Sequence, residues 1–134
     1  LYQFKKDGTI EPKPVASHKK LAPDTATPVI CGERLFGVWH RLYCLDLTNK
    51  LKEVYDSEEK PYARYCAAVA DGERVLLITL DGELLLLDGK AKQYTLLGNL
   101  KVFEKDKGVY SHPAFVNNRL YLRGESQIVA LELK

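Results

Sequence analysis

Aromatic, arginine and histidine side chains occur together at three places where a loop joins apolar segments of the sequence. Indole and phenol rings stack on flat ligands, and guanidinium and imidazole groups hold anions through charge-assisted hydrogen bonds. Grouped at one surface, these residue types suit an anionic ligand or a peptide. The candidate ligand- or partner-binding residues are Trp39, His40, Tyr62, Arg64, Tyr65, Tyr110 and His112.

Ordinary packing is the competing interpretation of the same residues, and we favour it. Trp39 is expected to pack between structural units and His40 to be a solvated loop residue, because aromatic side chains in repeats mostly pack. Residues 62–65 and 110–112 are equally open to ordinary loop packing. Both groups precede an apolar strand, so they are expected to line one mouth of a central channel.

The sequence predicts no catalytic residue and no metal site. Its acidic residues stand at turns and strand ends, and nothing places two carboxylates on one substrate. There is no glycine-rich phosphate loop, no nucleophile elbow and no metal-ligand cluster. The three cysteines form no C-x-x-C pair, and their odd number argues against a disulfide framework. Cys31, Cys44 and Cys66 are therefore expected to be small core residues on strands.

The elements that position these residues form an internal repeat. Three segments, 27–47, 67–88 and 112–133, share a Pro or Ala followed six residues later by an arginine: Arg34, Arg74 and Arg119. Each contains three short apolar strands joined by turns such as Gly-Glu, Asp-Gly-Glu or Asn-Asn. Gly and Asn accept positive φ at low cost, so these turns favour tight hairpins.

Outer strands complete the first two copies of the repeat. More polar segments follow them, LKEVYD (51–56) and KQYTLLG (92–98). Each unit is thus a four-stranded antiparallel meander of the length expected for a propeller blade. The fold class is all-β, with β-propeller blades of four-stranded antiparallel sheets; a plain β-sandwich is the less favoured alternative. Helix is expected only as a short turn within 57–65, where Pro61 limits it.

The run LDGELLLLDG, residues 80–89, places four leucines in a row between two Asp-Gly pairs. A strand with one wet face would alternate apolar and polar residues, and this one does not. The middle strand of a blade is covered on both faces by neighbouring blades. Leu84 to Leu87 are therefore predicted to be buried on both faces, and burial contributes roughly 1.5–3 kcal/mol for each leucine.

Composition excludes several classes of partner. With 20 Lys and Arg against 18 Asp and Glu, the formal net charge is +2, which is too balanced to indicate a nucleic acid or an anionic membrane. No apolar run approaches the ~20 residues of a membrane span. The chain begins LYQFKK and contains no Met, so we expect a processed or excised piece of a longer product.

Counting strands gives about three blade equivalents, a partial propeller in a single domain. The blades are placed at 27–56, 66–98 and 112–134, with a lone outer strand near 1–6 and a connection over 9–26. Closed propellers typically have 4–8 blades, so three cannot close a ring. Either further blades belong to the parent chain, or copies associate and the first strand of one completes the last blade of another or of itself.

These repeats resemble those of pyrroloquinoline quinone (PQQ)-type β-propellers, the quinoprotein dehydrogenase-like family. Arg34-Leu35-Phe36, Arg74-Val75-Leu76 and Arg119-Leu120-Tyr121 fill the second-strand slot of the family pattern, and Leu86-Leu87-Asp88 is one match to the third. The likeness covers 27–133. It implies a propeller fold, and it suggests a periplasmic or extracytoplasmic location, against which the unpaired cysteines weigh mildly.

The resemblance implies two functions. Many family members are propellers without a cofactor, so a non-catalytic scaffold for a protein partner or a ligand is favoured. The alternative is part of a PQQ-dependent dehydrogenase, which uses PQQ with calcium, a vicinal cysteine pair and repeated docking tryptophans. This chain has one tryptophan, Trp39, and no adjacent cysteines, so catalytic residues would have to lie outside it.

Overall fold

The computed structural model describes residues 1–105 and 108–132 and shows an all-β chain. Eleven strands lie in those residues, with one short 3-10 helix, Lys60–Ala63, where the sequence allowed a short turn. The strands are β1 (Val29–Cys31), β2 (Arg34–Val38), β3 (Leu42–Asp46), β4 (Lys52–Ser57), β5 (Cys66–Asp71), β6 (Arg74–Thr79), β7 (Glu83–Asp88), β8 (Leu96–Lys101), β9 (Ala114–Val116), β10 (Arg119–Arg123) and β11 (Ile128–Glu132).

The strands form three antiparallel meanders that follow the three repeats. The first sheet has the order β1-β2-β3-β4 and the second β5-β6-β7-β8, while the third contains β9, β10 and β11. Glycines with positive φ, Gly32 and Gly72, stand in the first turn of the first two sheets. Asn117 and Asn118 adopt the same left-handed conformation in the third. The predicted architecture, blades of a partial propeller, is confirmed.

Acidic side chains stabilise several of the turns. Asp46 accepts hydrogen bonds from the Thr48 hydroxyl and backbone N–H and from the Asn49 N–H, at 2.7, 2.8 and 3.1 Å. The bond from the Thr48 hydroxyl is the main cause of the lowered pKa of Asp46. Asp88 accepts from the N–H of Lys90 in the same way. These carboxylates are turn residues, as the sequence predicts.

The leucine-rich strand β7 lies between two hydrophobic cores. Leu85 and Leu87 belong to the core between the first and second sheets, together with Phe36 and the three buried cysteines. Leu84 belongs to the core between the second and third sheets, with Leu120. The prediction of burial on both faces is confirmed for these three leucines, and Leu86 is half-buried.

The far face of the first sheet is covered by the N-terminal connection. Tyr43 and Leu45 are buried there, and Ala16 and Leu21 pack against them. His18 contacts the Tyr43 ring edge-on, with 5.6 Å between ring centroids. Part of the segment expected to be an irregular connection therefore closes one end of the stack of sheets.

The outer strand of the second sheet begins later than the sequence predicted. KQYTLLG suggested a strand over 92–98, whereas β8 covers Leu96–Lys101. The turn after β7 is long, and the N–H of Asp88 donates to the carbonyl of Thr95 at its end. A β-bulge opposite Leu86 and Leu87 then shifts the register.

Residues 1–16 form a loose hairpin, secured by one bridge between Phe4 and Ile10. The N–H of Val15 donates to the Leu1 carbonyl, and the N–H of Lys5 to that of Thr9. The first strand of this hairpin coincides with the outer strand proposed near 1–6. Its membership of a blade stays a prediction, because β11 pairs only with β10 among the described residues. Residues 133–134 lie outside the described part.

Candidate functional site

A cavity of about 140 Å³ opens where the first two sheets meet the N-terminal connection. It gathers four of the seven candidate residues from two separate loops: one follows β2, and the other precedes β5. A third wall comes from residues 23–26. Its lining includes Pro23, Asp24, Trp39, His40, Arg64 and Tyr65.

Trp39 and His40 form one wall through the tight turn between β2 and β3. Their rings are 4.5 Å apart between centroids and tilted by 57°. The N–H of Trp39 donates to the carbonyl of Arg41 at 2.9 Å, and His40 takes the left-handed conformation with φ 59°. Trp39 is half-buried against the core on the far face of the first sheet, whereas His40 is exposed. The turn thus holds the indole while leaving the imidazole in solvent.

Arg64 supplies the positive charge of the cavity. Its Nη1 lies 3.1 Å from Oδ1 of Asp81, and both side chains are more than half exposed. An ion pair so exposed contributes little to stability, about 0–1 kcal/mol. The guanidinium also offers more donors than one carboxylate oxygen uses, so Arg64 can accept a second anion.

Tyr65 links this cavity to a second one. Its hydroxyl donates to the Tyr110 carbonyl at 2.9 Å, and the two rings are 5.3 Å apart between centroids. Burial raises the pKa of Tyr65, so it remains a neutral hydrogen-bond donor at physiological pH. The second cavity, of about 500 Å³, is lined by Tyr110, Ser111 and Arg123 among others. Tyr65 of the first cavity and Tyr110 of the second are therefore in direct contact.

Two candidate residues, Tyr62 and His112, line neither cavity. Tyr62 is fully buried in the core between the first two sheets, and its hydroxyl is 3.0 Å from that of Tyr94. Desolvation raises its pKa. His112 is exposed, with Nδ1 3.2 Å from the carbonyl of Pro113. Tyr62 is therefore a packing residue in this structure, and His112 lines neither cavity.

Sequence reasoning missed residues that complete the site. The sequence predicts a connection over residues 9–26, which includes residues 23–26, and a turn at Asp81. In the structure Asp81 faces Arg64 across 17 positions of sequence, and residues 23–26 wall the cavity. No spacing signal marks either feature, because both arise from contacts between segments distant in the chain.

The described residues contain no cluster of metal ligands and no vicinal cysteine pair. Among them, no group of three or more His, Cys, Asp or Glu side chains comes together as metal ligands. The three cysteines are separate free thiols in the core. Burial raises the pKa of Cys44 to about 11 and that of Cys66 to about 12. Trp39, the single tryptophan, packs beside His40.

Solved structures with the same fold include BamB from Moraxella catarrhalis, with a TM-score of 0.63 and 20% sequence identity over 79% of this chain and 36% of that one. The quinohemoprotein alcohol dehydrogenase ADHIIG from Pseudomonas putida HK5 gives 0.61 and 16%, over 80% of this chain and 18% of that one. The quinohemoprotein alcohol dehydrogenase from Comamonas testosteroni gives 0.55 and 17%, over 74% and 17% of the two chains.

The matched region is a minor part of each of these proteins, because the chain spans little more than a third of BamB and less than a fifth of the two dehydrogenases. No protein-family model and no curated protein matches the sequence. The described residues contain no helix long and apolar enough to cross a membrane. Three consecutive meanders, two intersheet cores and these neighbours together show that the chain has the fold of the PQQ-like β-propeller repeats that its sequence resembles.

Proposed function

We propose that this chain is a non-catalytic PQQ-like propeller segment that binds a protein partner or an anionic ligand at one end of its sheets. The observation that carries the proposal is the convergence of Trp39, His40, Arg64 and Tyr65 on one cavity. An indole, an imidazole, a guanidinium and a phenol offer stacking surface, donors and positive charge, which suit an extended peptide with an acidic side chain.

The electrostatics of the site favour recognition over catalysis. The carboxylate nearest to Arg64, that of Asp81, is exposed, paired with Arg64 and outside the cavity lining, and the lining itself contains a single acid, Asp24. A binding site of this kind needs donors and stacking surface held in place. The tight turn at His40 and the hydrogen bond from Tyr65 to Tyr110 provide that rigidity.

Trp39 gives a direct readout of binding, because it is the only tryptophan. We would titrate the chain with eight-residue peptides lacking tryptophan, one series rich in Glu and Phe and one with Gln in place of Glu. The acidic series is expected to change the Trp39 emission with saturation, and Arg64→Gln to weaken binding about tenfold, as loss of a charge-assisted hydrogen bond does.

Arg74→Gln is the matched control for this titration. It removes the same charge from an exposed arginine at the opposite end of β6, and it should leave the affinity unchanged. If no acidic peptide alters the emission, or if Arg64→Gln binds as tightly as the original chain, the cavity is not an anion-recognising site.

The second candidate function is a part of a PQQ-dependent dehydrogenase. The likeness to two quinohemoprotein alcohol dehydrogenases favours it, whereas the described residues bring together no cluster of metal ligands for the calcium that PQQ is used with. Incubation of the chain with PQQ, calcium, an alcohol or a sugar, and a redox dye separates the two. We expect no dye reduction above the protein-free control, and substrate-dependent reduction would overturn the non-catalytic proposal.

A further inference from the structure

The second cavity, of about 500 Å³, lies between the segment that precedes β9 and the turn that joins β10 to β11. Its volume is in the range of small-molecule sites, roughly 300–1,000 Å³. Its walls are formed within the chain, between the end of β8 and the start of β11, by Gly108, Tyr110, Ser111, Arg123, Gly124 and Glu125. None of these residues lines the cavity at Trp39.

The described lining of the second cavity carries one cation and one anion that are not paired with each other. Arg123 ends β10, Glu125 follows two positions later in the turn, and both residues are exposed. Among the described residues, neither side chain forms an ion pair. A ligand that brings an anion to the guanidinium and a cation to the carboxylate would give both groups a charge-assisted hydrogen bond.

Tyr110 adds an aromatic surface to the same cavity. It is 64% exposed, although its ring has two close neighbours. The ring of Tyr65 is 5.3 Å away between centroids, and a β-carbon on Gly108 would lie 3.4 Å from Cε2 of the Tyr110 ring. Gly108 has a φ of 88°, which glycine adopts without strain. A ring held by such neighbours can pack on an aromatic side chain of a ligand.

Hydrogen bonds hold the walls of the second cavity together. The Ser111 hydroxyl donates to the carbonyl of Arg123 at 2.6 Å, which joins the segment before β9 to the end of β10. The N–H of Gly124 donates to the carbonyl of Gln127 at 2.9 Å and closes the turn that carries Glu125. Because the backbone is fixed before a ligand arrives, less conformational entropy is lost when one binds.

The spacing of the two charges favours a ligand longer than a free amino acid. The α-carbons of Arg123 and Glu125, two positions apart, are separated by at most about 7 Å. No ion pair joins the two side chains, so their nitrogen and oxygen atoms lie more than 4.0 Å apart. An ammonium and a carboxylate at the two ends of a dipeptide span a similar two-residue distance, whereas those of an amino acid share one carbon.

We infer that the second cavity binds a zwitterionic dipeptide with an aromatic side chain. The ligand carboxylate accepts hydrogen bonds from Arg123, its ammonium donates to Glu125, and its ring packs on Tyr110. This site goes beyond the function proposed for the cavity at Trp39, because the two sets of lining residues are separate. It stands whether or not the cavity at Trp39 binds an acidic peptide.

NMR titration of the isotope-labelled chain with Gly-Phe tests the inference. The amide signals of Gly108, Ser111 and Gly124 are expected to shift with saturation. Two blocked forms of the same ligand separate its charges: N-acetyl-Gly-Phe lacks the ammonium, and Gly-Phe amide lacks the carboxylate. Each blocked form should bind about tenfold more weakly than Gly-Phe, as loss of one charge-assisted hydrogen bond does.

Two variants assign each ligand charge to its residue. Arg123→Gln should bind Gly-Phe and its amide equally well while still preferring both to the acetylated form. Glu125→Gln should bind Gly-Phe and the acetylated form equally well while still preferring both to the amide. Arg119→Gln is the matched control, an exposed arginine at the other end of β10, and it should leave all three affinities unchanged. Circular dichroism checks that the variants fold.

Three results would overturn the inference. The first is the absence of saturable shifts at the three amides with Gly-Phe. The second is an affinity that falls on blocking only one end of the dipeptide, or neither end, because the ligand would then not be recognised as a zwitterion. The third is a preference for the free dipeptide over both blocked forms that persists in Arg123→Gln and in Glu125→Gln, because other residues would then bind its charges.

Discussion

At the residue scale, surroundings distinguish side chains of the same type. Tyr62 and Tyr65 are three positions apart, yet Tyr62 is sealed in the core and Tyr65 stands at the cavity with its hydroxyl bonded to the Tyr110 carbonyl. The short 3-10 helix and the start of β5 turn them in different directions. The residue type makes both tyrosines candidate binding residues. Because Tyr62 is buried, only Tyr65 is accessible to a ligand.

The buried thiol of Cys66 should make the chain sensitive to alkali. Its pKa is raised to about 12 from 9.0, mainly by desolvation, so the folded state keeps the proton after the unfolded state has lost it. Its contribution to stability is complete below about pH 9 and is lost as pH rises toward 12. Over that window the free energy of unfolding should fall by about 1.4 kcal/mol per pH unit from this group.

Urea unfolding of the original chain and of Cys66→Ala between pH 8 and pH 11 measures this contribution. The variant should be less stable at pH 8, because it leaves a small cavity, but its stability should fall less steeply with pH. Equal slopes for the two proteins would show that Cys66 does not titrate across this range.

At the element scale, arginines at equivalent positions of the repeat make different contacts. Arg34 begins β2 and donates from Nη1 to the carbonyls of Gly89 and Ala91 in the turn after β7, which joins the first sheet to the second. Arg74 begins β6 at the equivalent place, and it is exposed. Of these two equivalent arginines, Arg34 connects two sheets, because the turn after β7 places backbone carbonyls within hydrogen-bond distance of its guanidinium. We call Arg34 an intersheet clamp.

Arg34→Ala is therefore expected to destabilise the chain by about 1.5–3 kcal/mol, because two carbonyls lose a charged donor. Arg74→Ala, its equivalent in the repeat, should change stability by less than about 0.5 kcal/mol. Chemical denaturation monitored by Trp39 fluorescence gives both values. Similar losses for the two variants would contradict the assignment of Arg34 as an intersheet clamp.

At the scale of the whole molecule, each sheet is stabilised by its neighbours. The second sheet is covered on both faces by two hydrophobic cores, and the first by a core and the N-terminal connection. The third sheet has a core on one face only, and Val116, Tyr121 and Ile128 are exposed. Stability in such arrays is a sum over units and their interfaces, so it should decrease toward the third sheet.

Native-state hydrogen exchange should show this gradient at low protein concentration. Amides of β6 and β7 are expected to exchange slowest, those of β2 and β3 next, and those of β9 to β11 fastest. Protection of the third sheet equal to that of the second would contradict it.

Much of the fold was predictable because its determinants are local. Hairpin turns need residues that accept positive φ, and Gly32, Gly72 and the Asn117-Asn118 pair occur where the repeat requires them. The four consecutive leucines of β7 predicted that both faces of this strand are buried, and the structure confirms this for Leu84, Leu85 and Leu87. The start of β8 was not predictable, because a bulge and a long turn set it through contacts with β7.

The sequence by itself determined the repeated antiparallel units, the burial of the middle strands and the residue types available for binding, because turn conformation and hydrophobic pattern act over a few neighbouring residues. Only the tertiary structure decided which of those residues meet. Arg64 forms an ion pair with Asp81. Trp39 and His40 line the same cavity as Pro23 and Asp24, and the N-terminal connection covers the first sheet. These contacts join segments distant in sequence, and packing of whole sheets, which no local pattern encodes, brings them together.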